Sequence, residues 1–391
     1  MYNKAINFSI ACLGMLLFGI TLITVGAVLP DLKLKFALDE IAAGVLFAIL
    51  PFGILAGSLV FGYFCDKYGY KGILILSCLL VVLGLAGIAI LPSIDYLKIC
   101  IFLFGFGGGC INGATNALVS DISHQNKGAN LSLLGVFFAI GALGMPLILG
   151  VLKNSVGFEP ILLSVAGFGL LIFLMMFLVK FPPAKNKNDV SFTHVFSLVK
   201  NKILLLIAFF LFFQSSLEAV IHNWITTYLN ESLSIAKDKS LYALTLNVIG
   251  MAVMRLLIGT VFRRVTDRAM LSVSVLILMF SSILLYFTKS YWASSIALTL
   301  LGAGMAAGFP MMYSIVGKRH AEISATAFSF ILSIALIGNM LVNYSMGIIA
   351  KNYGISQVPH MIFAEVVMMA ILLFVVFKTD KSTSLSNVPD Y

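Results

Sequence analysis

The sequence predicts an all-α integral membrane protein of twelve transmembrane helices, arranged as two pseudo-symmetric six-helix bundles. Hydrophobic residues make up 60% of the 391 residues and charged residues only 10%, whereas soluble domains are about a quarter charged. Twelve stretches reach the ~20 apolar residues that one membrane-spanning helix requires. In addition, a set of glycines recurs at one fixed offset of half the chain length, as expected for a protein built from two similar halves.

The twelve predicted spans follow one another with short loops, which leaves no room for a soluble catalytic domain between them. No A-x-A-like cleavage site follows the first apolar stretch, so we expect this stretch to be retained as a helix. The predicted spans are 6–29, 41–63, 72–91, 96–120, 131–152, 159–180, 203–228, 241–262, 270–288, 291–315, 323–349 and 359–378.

The repeat has an offset of 197 residues. Lys67 and Lys71 coincide with Arg264 and Arg268 in the loop after the first pair of glycines. Parallel repeats of this kind enclose a midplane binding site in one large class of transporters. The glycine pairs are Gly62/Gly259, Gly105/Gly302, Gly107/Gly304, Gly141/Gly338, Gly150/Gly347 and Gly157/Gly354.

The distribution of basic residues predicts the orientation. The net charge is +9, but the basic residues are divided by side of the membrane and do not form a nucleic-acid-binding patch. Sixteen Lys and Arg residues fall on the side of the termini, eight fall on the other side, and Arg255 lies within a span. Because basic loops stay in the cytoplasm, both termini are predicted to be cytoplasmic in a cell inner membrane.

The predicted domains are an N-terminal bundle (1–180), a cytoplasmic linker (181–202), a C-terminal bundle (203–378) and a disordered tail (379–391). The linker begins with Pro182-Pro183 and continues with a polar run. Its later part carries apolar residues at helical spacing, which predicts a short helix on the membrane surface. That apolar stripe is Phe192, Val195, Phe196, Leu198 and Val199.

Signals for chemistry are not seen in the sequence. The five cysteines lie in or beside spans without metal or disulfide spacing, so we interpret them as packing residues. We find no nucleotide-binding loop, metal cluster or nucleophile–base set, which predicts neither an ATP-driven pump nor an enzyme. We therefore expect no cofactor, no bound metal and no nucleic-acid partner, and a monomer in the lipid bilayer.

The loop between spans two and three carries Gly62-x-x-x-Asp66-Lys67-x-Gly69-x-Lys71. This pattern resembles the loop signature of the major facilitator superfamily, whose members are twelve-helix secondary transporters. The resemblance implies a gating role for the motif where the helix bundles meet. In the second half, Arg263 replaces Asp66. The predicted gating set is Gly62, Asp66, Lys67, Gly69, Lys71, Arg255 and Arg263.

Several shorter segments are similar to the fucose permease-like branch of sugar porters. They are GAVLP at 26–30, Gly109-x-x-Asn112-x-x-x-Asn116, Glu218-x-x-x-x-x-Trp224-x-x-x-Tyr228, Met254-Arg255 and Gly308-Phe309-Pro310. Proton-coupled members of that branch are expected to carry carboxylates in spans one and four. Here the matching stretches offer Gly26 and Asn112, so the sequence does not support proton coupling at those positions.

A competing resemblance lies in span five, which reads Gly141-Ala142-Leu143-Gly144-Met145-Pro146. This is similar to the glycine-proline signature of drug–proton antiporters, although Met145 separates the glycine from the proline. The segment supports an alternative function, proton-driven export of drug-like amphiphiles. A transport-dead sensor is a further reading, against which the intact loop motif argues.

Three polar residues of span seven, Gln214, Glu218 and His222, are spaced by four and so share one helical face. A charge near the bilayer centre costs ~2.5–3.5 kcal/mol on insertion scales, so a buried Glu218 calls for a reason. A carboxylate four residues from an imidazole can relay a proton or bind a sugar hydroxyl. The alternative is a hydrogen-bonded pair that only fixes helix packing. We predict Glu218 and His222 as proton-coupling residues.

Two other charged residues are assigned by depth. Glu218 is placed ~22 Å from the cytoplasmic end of span seven and Arg255 only ~10 Å from that end of span eight. These depths predict no contact between the two side chains, so Arg255 is expected to snorkel or to brace the gate. Glu365, near the outer end of span twelve, is expected to be an interfacial carboxylate.

Amide side chains suit a polyhydroxylated neutral substrate, because they both donate and accept hydrogen bonds. Asn112 and Asn116 share a face of span four, and Asn339 and Asn343 share a face of span eleven. Each Asn could equally join helices. Trp224 is expected to be an interface anchor. The predicted substrate-binding set is Thr21, Thr24, Asn112, Asn116, Gln214, Glu218, Tyr313, Asn339 and Asn343.

The sequence thus predicts a transporter that works by alternating access and imports a neutral monosaccharide or similar polyol. Whether this import is proton symport or facilitated diffusion is left open by the residues. The partners implied are a small-molecule substrate of sugar type, the lipid bilayer and, in the symport case, protons.

Overall fold

The computed structural model of the protein describes residues 2–38, 40–123, 125–185 and 198–385, and within these ranges it contains helices and no strands. The first half contains α1 (Lys4–Phe36), α2 (Glu40–Tyr68), α3 (Tyr70–Ile90), α4 (Ile94–Ile122), α5 (Lys127–Val156) and α6 (Phe158–Leu178). The second half contains α7 (Lys202–Glu231), α8 (Lys237–Gly259), α9 (Asp267–Phe287), α10 (Tyr291–Met305), α11 (Gly308–Arg319), α12 (Ser324–Tyr353) and α13 (Val358–Leu385). Short 3₁₀ helices at Ala321–Ile323 and Ile355–Gln357 precede α12 and α13.

Twelve helical stretches among the described residues are long and apolar enough to cross a membrane. This confirms the predicted fold class, and each observed stretch overlaps one predicted span. The tenth stretch, Tyr291–Arg319, consists of α10 and α11 together. Helix starts coincide with capping residues, because the side-chain oxygens of Asn3, Asn201 and Thr266 accept hydrogen bonds from backbone N–H groups in the first turns of α1, α7 and α9.

The predicted C-terminal tail and the predicted linker are described only in part. Helix α13 continues to Leu385, into the segment 379–391 that was predicted to be a tail. No Gly or Pro stands between 379 and 385 to end the helix. Residues 386–391 lie outside the described residues, as do 186–197, which carry most of the predicted surface helix of the linker.

The chain forms two compact units, and each takes a short segment from the opposite half of the sequence. Unit 1 comprises residues 1–124, 134–192 and 320–329, and unit 2 comprises 125–133, 193–319 and 330–391. The two transferred segments contain the starts of α12 and of α5. They are equivalent in the 197-residue repeat, since 320–329 corresponds to 123–132.

The repeat is visible in the packing. In unit 1, α4 packs against α2 and α3, and in unit 2, α10 packs against α8 and α9. Gly105 of α4 lies against the backbone of Leu50, and its counterpart Gly302 lies against the backbone of Asn247, 197 residues after Leu50. Glycines that are paired by the repeat therefore make equivalent close contacts between helices in the two units.

Candidate functional site

Span ten is broken in its middle. Helix α10 ends at Met305 and α11 starts at Gly308, with a turn at Ala306 and Ala307 between them. Pro310 explains the break, because its missing N–H cannot bond to the carbonyl of Ala306 four residues earlier. Discontinuous helices mark substrate and ion sites in transporters, since they leave backbone groups for other partners. This break was not predicted, since span ten was expected to be continuous over 291–315.

Gln214 of α7 forms a hydrogen bond to the last residue of α10. Its side-chain Nε2 donates to the Met305 carbonyl oxygen at 3.0 Å and to Oε1 of Glu218 at 3.1 Å. Gln214 is fully buried, and its Oε1 has no hydrogen-bond partner among the described residues. Gly308 packs directly on this side chain, so that any Cβ there would overlap the Gln214 amide. A buried acceptor thus lies at the break, next to a carboxylate.

Arg255 of α8 lies near the same cluster. It is buried, and its positive charge acts on both Glu218 and His222; that depth keeps it out of direct contact with Glu218 stays a prediction. Glu218 is half-buried and His222 is exposed. We therefore group Gln214, Glu218, His222 and Arg255 on two adjacent helices as one cluster.

The direction of helical side chains brings the two residues nearer than their Cα depths imply. Side chains lean toward the N-terminus of their own helix. Helices α7 and α8 follow each other through the tight connection 232–236, so they run in opposite senses and Glu218 and Arg255 lean toward each other.

The two asparagines of α12 contact α7. Asn339 Nδ2 donates to the carbonyl oxygen of Ser215 at 3.2 Å. The Trp224 indole Nε1 donates to Oδ1 of Asn343 at 2.7 Å. Trp224 therefore joins α7 to α12. Asn339 and Asn343 are both half-buried.

The predicted substrate residues of unit 1 bond mainly within their own helices. Asn116 Nδ2 donates to the Asn112 carbonyl oxygen at 2.8 Å and to Asn112 Oδ1 at 3.1 Å. The hydroxyls of Thr21 and Thr24 donate to carbonyl oxygens one turn earlier in α1. All four side chains are buried. Tyr313 of unit 2 is also buried and packs edge-on against Phe309, with the ring centres 5.8 Å apart.

Asp66, at the end of α2, receives the start of α12. Asp66 is buried, and its carboxylate accepts from the backbone N–H of Ala325 at 3.3 Å and of Thr326 at 2.7 Å. The Thr326 hydroxyl also donates to it, at 2.6 Å. A carboxylate at a helix N-terminus pairs with unsatisfied N–H groups and with the helix dipole. Gly62 makes this approach possible, because a Cβ there would lie 2.6 Å from the Ala325 carbonyl oxygen.

A second carboxylate joins the same cluster and was not predicted. Asp121, at the end of α4, forms an ion pair with Lys185 at 2.6 Å and accepts a hydrogen bond from the Ser324 hydroxyl at 2.8 Å. The Tyr70 hydroxyl also donates to Asp121. Lys185 in turn donates to the carbonyl oxygen of Ala321 at 2.5 Å. Such tertiary contacts leave no pattern in a single sequence, which is why sequence reasoning missed them.

The other motif residues of this loop have local partners. Lys67 Nζ donates to the Tyr63 hydroxyl at 2.7 Å, and Lys71 Nζ donates to the carbonyl oxygen of Phe177 at 2.8 Å. Gly69 precedes α3 with φ of +83°, a conformation that favours glycine. Gly62 and Asp66 thus contact the start of α12, whereas Lys67 bonds within α2 and Lys71 bonds to the end of α6.

Unit 2 repeats this arrangement with exchanged charges. Arg263, the counterpart of Asp66, donates to Oδ1 of Asn130 at 3.1 Å, at the start of α5. Asp267 and Lys318, the counterparts of Tyr70 and Asp121, form an ion pair at 2.5 Å. Equivalent positions therefore form equivalent pairs with different charges. The carboxylate of the Tyr70–Asp121 pair is on the other partner in Asp267–Lys318. The carboxylate of Asp66 is replaced by the cation of Arg263.

An apolar cavity of about 510 Å³ lies between α1, α5 and α6 of unit 1. Its lining includes Gly141, Gly144 and Met145 of the segment that resembles a drug-antiporter signature. A Cβ on Gly144 would meet no atom within 4 Å. The cavity could therefore accommodate an apolar chain of a lipid or of an amphiphilic ligand.

Comparison with known proteins places these features in a family. A family model described as the Major Facilitator Superfamily matches residues 11–236 and 217–390. The multidrug resistance protein MdtG of Proteus mirabilis is 26% identical over 347 residues, covering 86% of each chain. The glucose/mannose transporter GlcP of Bacillus subtilis is 24% identical over 352 residues, covering 84% of each chain.

Solved structures show the same fold. The E. coli fucose:proton symporter FucP superposes with a TM-score of 0.78 at 21% identity, over 95% of this chain and 98% of that one. The proton:xylose symporter XylE gives a TM-score of 0.75 at 15% identity, over 96% and 95%. With twelve membrane spans, the repeated loop motif and a family match over both halves, the chain belongs to the Major Facilitator Superfamily and is a multi-pass membrane transporter.

Proposed function

We propose that the protein imports a neutral monosaccharide or related polyol across the cell inner membrane by alternating access, with both termini in the cytoplasm. The observation that carries the proposal is the Gln214 cluster at the break in span ten. There a fully buried amide oxygen without a partner among the described residues lies beside the Glu218 carboxylate. Hydroxyl groups of a sugar are donors and acceptors, and therefore suit such a pair.

The comparisons support this substrate class. GlcP is by its name a glucose/mannose transporter, and the solved structures that share the fold include symporters of fucose and xylose. The proposed substrate residues of unit 2 are Gln214, Glu218, Tyr313, Asn339 and Asn343, and those of unit 1 are Thr21, Thr24, Asn112 and Asn116.

The charged part of the cluster supports proton coupling through Glu218. Glu218 accepts a hydrogen bond from Gln214, and the positive charge of the buried Arg255 acts on it. Movement of Arg255 would therefore change the electrostatic environment of this carboxyl. His222, which also interacts with Arg255, is a proton partner one helical turn from Glu218. Import is then symport of sugar and proton.

The proposed gate is the pair Gly62–Asp66 with the start of α12. Every hydrogen bond that Asp66 makes to Ala325 and Thr326 must break if this helix start moves away. The bonds therefore stabilise one state of the transport cycle relative to the others.

A second function, export of drug-like amphiphiles, is favoured by two observations. MdtG, a multidrug resistance protein, is 26% identical over most of the chain. The apolar cavity beside Gly141, Gly144 and Met145 offers space for a hydrophobic ligand. In this function Glu218 would exchange a proton for the exported compound.

Uptake into proteoliposomes separates the two functions. Labelled neutral sugars and polyols and a panel of fluorescent amphiphiles are supplied with and without an imposed pH gradient. The proposal expects saturable uptake of a sugar, which is lost in Gln214→Ala and retained in Asn247→Ala. Asn247 is a matched control, because it is an equally buried amide that bonds α8 to the Leu298 carbonyl of α10. Gradient-driven movement of amphiphiles without sugar uptake would establish the second function instead.

A further inference from the structure

Span twelve has a carboxylic acid in the middle of its packing face. The buried residues of α13 recur at spacings of three and four, which defines a single stripe along the helix. The members of this stripe are Val358, Ile362, Glu365, Val366, Met369, Leu373 and Val376. All of them are apolar except Glu365, which is only 2% exposed. The expected interfacial carboxylate is thus a core residue, since α13 packs this face on α7 and α9.

The surroundings of Glu365 offer little compensation for a negative charge. Neither carboxyl oxygen has a geometrically acceptable hydrogen-bond partner among the described residues. A hydrogen bond from the Ser216 hydroxyl of α7 would favour the carboxylate, but that hydroxyl already donates to the carbonyl oxygen of Phe212. With its proton engaged there, Ser216 can only accept from Glu365, which requires Glu365 to carry its own proton.

Other titratable groups on the neighbouring helices are directed elsewhere. On α7, Glu218 lies two residues from Ser216, hence about 200° around the helix, on the face of the Gln214 cluster. On α9, the Tyr286 hydroxyl is bonded to Nε2 of His360, at 3.0 Å, more than one turn before Glu365 on α13. No charged group of the described residues acts on Glu365. A lone ionised carboxylate in this seam would be strongly unfavourable.

We propose that Glu365 is a proton-binding site, separate from Glu218, which holds its proton while α13 is packed on α7 and releases it to water when this seam opens. Release breaks the carboxyl O–H bond, the proton passes to water, and the carboxylate that remains is hydrated and cannot return to the seam until it is protonated again. Protonation of Glu365 and closure of the α7–α13 seam are therefore one event. Because the opposite face of α7 carries Gln214 and Glu218, the state of the seam is transmitted to the substrate cluster through one helix.

Infrared spectroscopy of the full chain in lipid nanodiscs tests the protonation state without any substrate. At neutral pH the wild type should show a protonated-carboxyl C=O band that is slow to shift in heavy water. Glu365→Gln should remove this slow band, and Glu218→Gln, the matched carboxyl of the substrate cluster, should leave it. A slow band that persists in Glu365→Gln, or the lack of one in the wild type, would overturn the proposal.

Thermal stability gives a second readout. Because the folded protein holds this proton at a pH where a glutamate of the unfolded chain has lost it, the folding equilibrium constant should fall by about tenfold per pH unit on this account, until Glu365 itself ionises. The Tm of the wild type should therefore fall more between pH 6 and pH 8 than that of Glu365→Gln or of Glu365→Met, which restores an apolar stripe. Equal pH slopes in wild type and both variants would contradict the proposal. Neither measurement depends on sugar transport. If sugar uptake is not found, the infrared and Tm results still decide whether Glu365 binds a proton.

Discussion

Thr326 donates two hydrogen bonds to one carboxylate oxygen of Asp66, from its backbone N–H at 2.7 Å and from its hydroxyl at 2.6 Å. The two residues are 260 positions apart in the chain, and Asp66 thereby caps a helix that starts in the other half of the sequence. Since Asp66 is buried, these bonds are not in competition with water.

Asp66→Ala should lower the transport rate much more than equilibrium substrate binding. Hydrogen bonds to a charged group contribute about 1.5–3 kcal/mol, so their loss shifts the balance between transport states by about tenfold or more. Transport in proteoliposomes and binding by calorimetry measure the two quantities. Lys67→Ala is the control, because Lys67 bonds to Tyr63, and it should have a smaller effect. Equal loss of rate and binding, or no loss of either, would argue against a gating role.

Gly62→Val should impair transport and lower stability, because the new side chain would overlap the backbone of Ala325 and the Cβ of Ser329. Overpacking of this kind costs typically about 1–3 kcal/mol. Gly72→Val is the matched control, since a Cβ at Gly72 meets no atom within 4 Å. Transport rate and Tm of both variants check the prediction, which fails if Gly62→Val and Gly72→Val behave alike.

Gln214→Ala should weaken substrate binding by about tenfold or more, because it removes both the buried acceptor and the bond to the Met305 carbonyl. Asn247→Ala removes a buried amide of the same unit that bonds to Leu298, and should lower Tm without changing affinity. Direct binding measurements on both variants decide the point. A Gln214→Ala protein with wild-type affinity would exclude Gln214 from the substrate site.

Glu218→Gln should abolish accumulation of substrate against a gradient while counterflow exchange continues, since exchange requires no net movement of protons. Uptake under an imposed pH gradient and exchange without a gradient are the two measurements. Accumulation by the variant would show that Glu218 is not the proton site. If the wild type itself never accumulates substrate, the protein is a facilitator and Glu218 is a ligand or packing residue.

Cysteines introduced at position 35 and at position 190 should react with impermeant reagents from opposite sides of the membrane. This follows from the sixteen-to-eight division of basic residues between the two sides. Labelling in intact cells and in inverted vesicles measures it. Labelling of both positions from the same side would refute the topology.

The fold could be predicted because its signals are local or periodic. The hydropathy of each span and the 197-residue offset of the glycines are properties of the sequence itself, and Gly105 and Gly302 make the equivalent contacts that the offset implies. The link of Gln214 to Glu218 was also anticipated from their four-residue spacing. Such spacing fixes a shared face before any tertiary structure is known.

The candidate sites were predictable only in part, because their partners come from distant helices. The electrostatic influence of Arg255 on Glu218 was not anticipated, since Cα depth ignores the opposite lean of side chains on antiparallel helices. Asp121 and Lys185 were missed, since they meet only in the folded chain. The break in span ten had a local signal, Pro310 six residues after Gly304, but the apolar run concealed it.

The broken span ten makes the Gln214 amide selective between kinds of hydrogen-bonding partner. Both protons of its Nε2 are already donated, to Met305 and to Glu218, whereas its Oε1 has no partner among the described residues and is covered by Gly308. Once Gly308 moves aside, a ligand that donates a proton, as an alcohol does, can bond to Oε1 without displacing either of these two acceptors. A ligand that offers only a carbonyl or an ether oxygen must take a proton away from Met305 or Glu218, and so must first disrupt the end of α10. Discrimination of hydroxylated from merely oxygenated molecules would then originate in a backbone carbonyl that never touches the ligand.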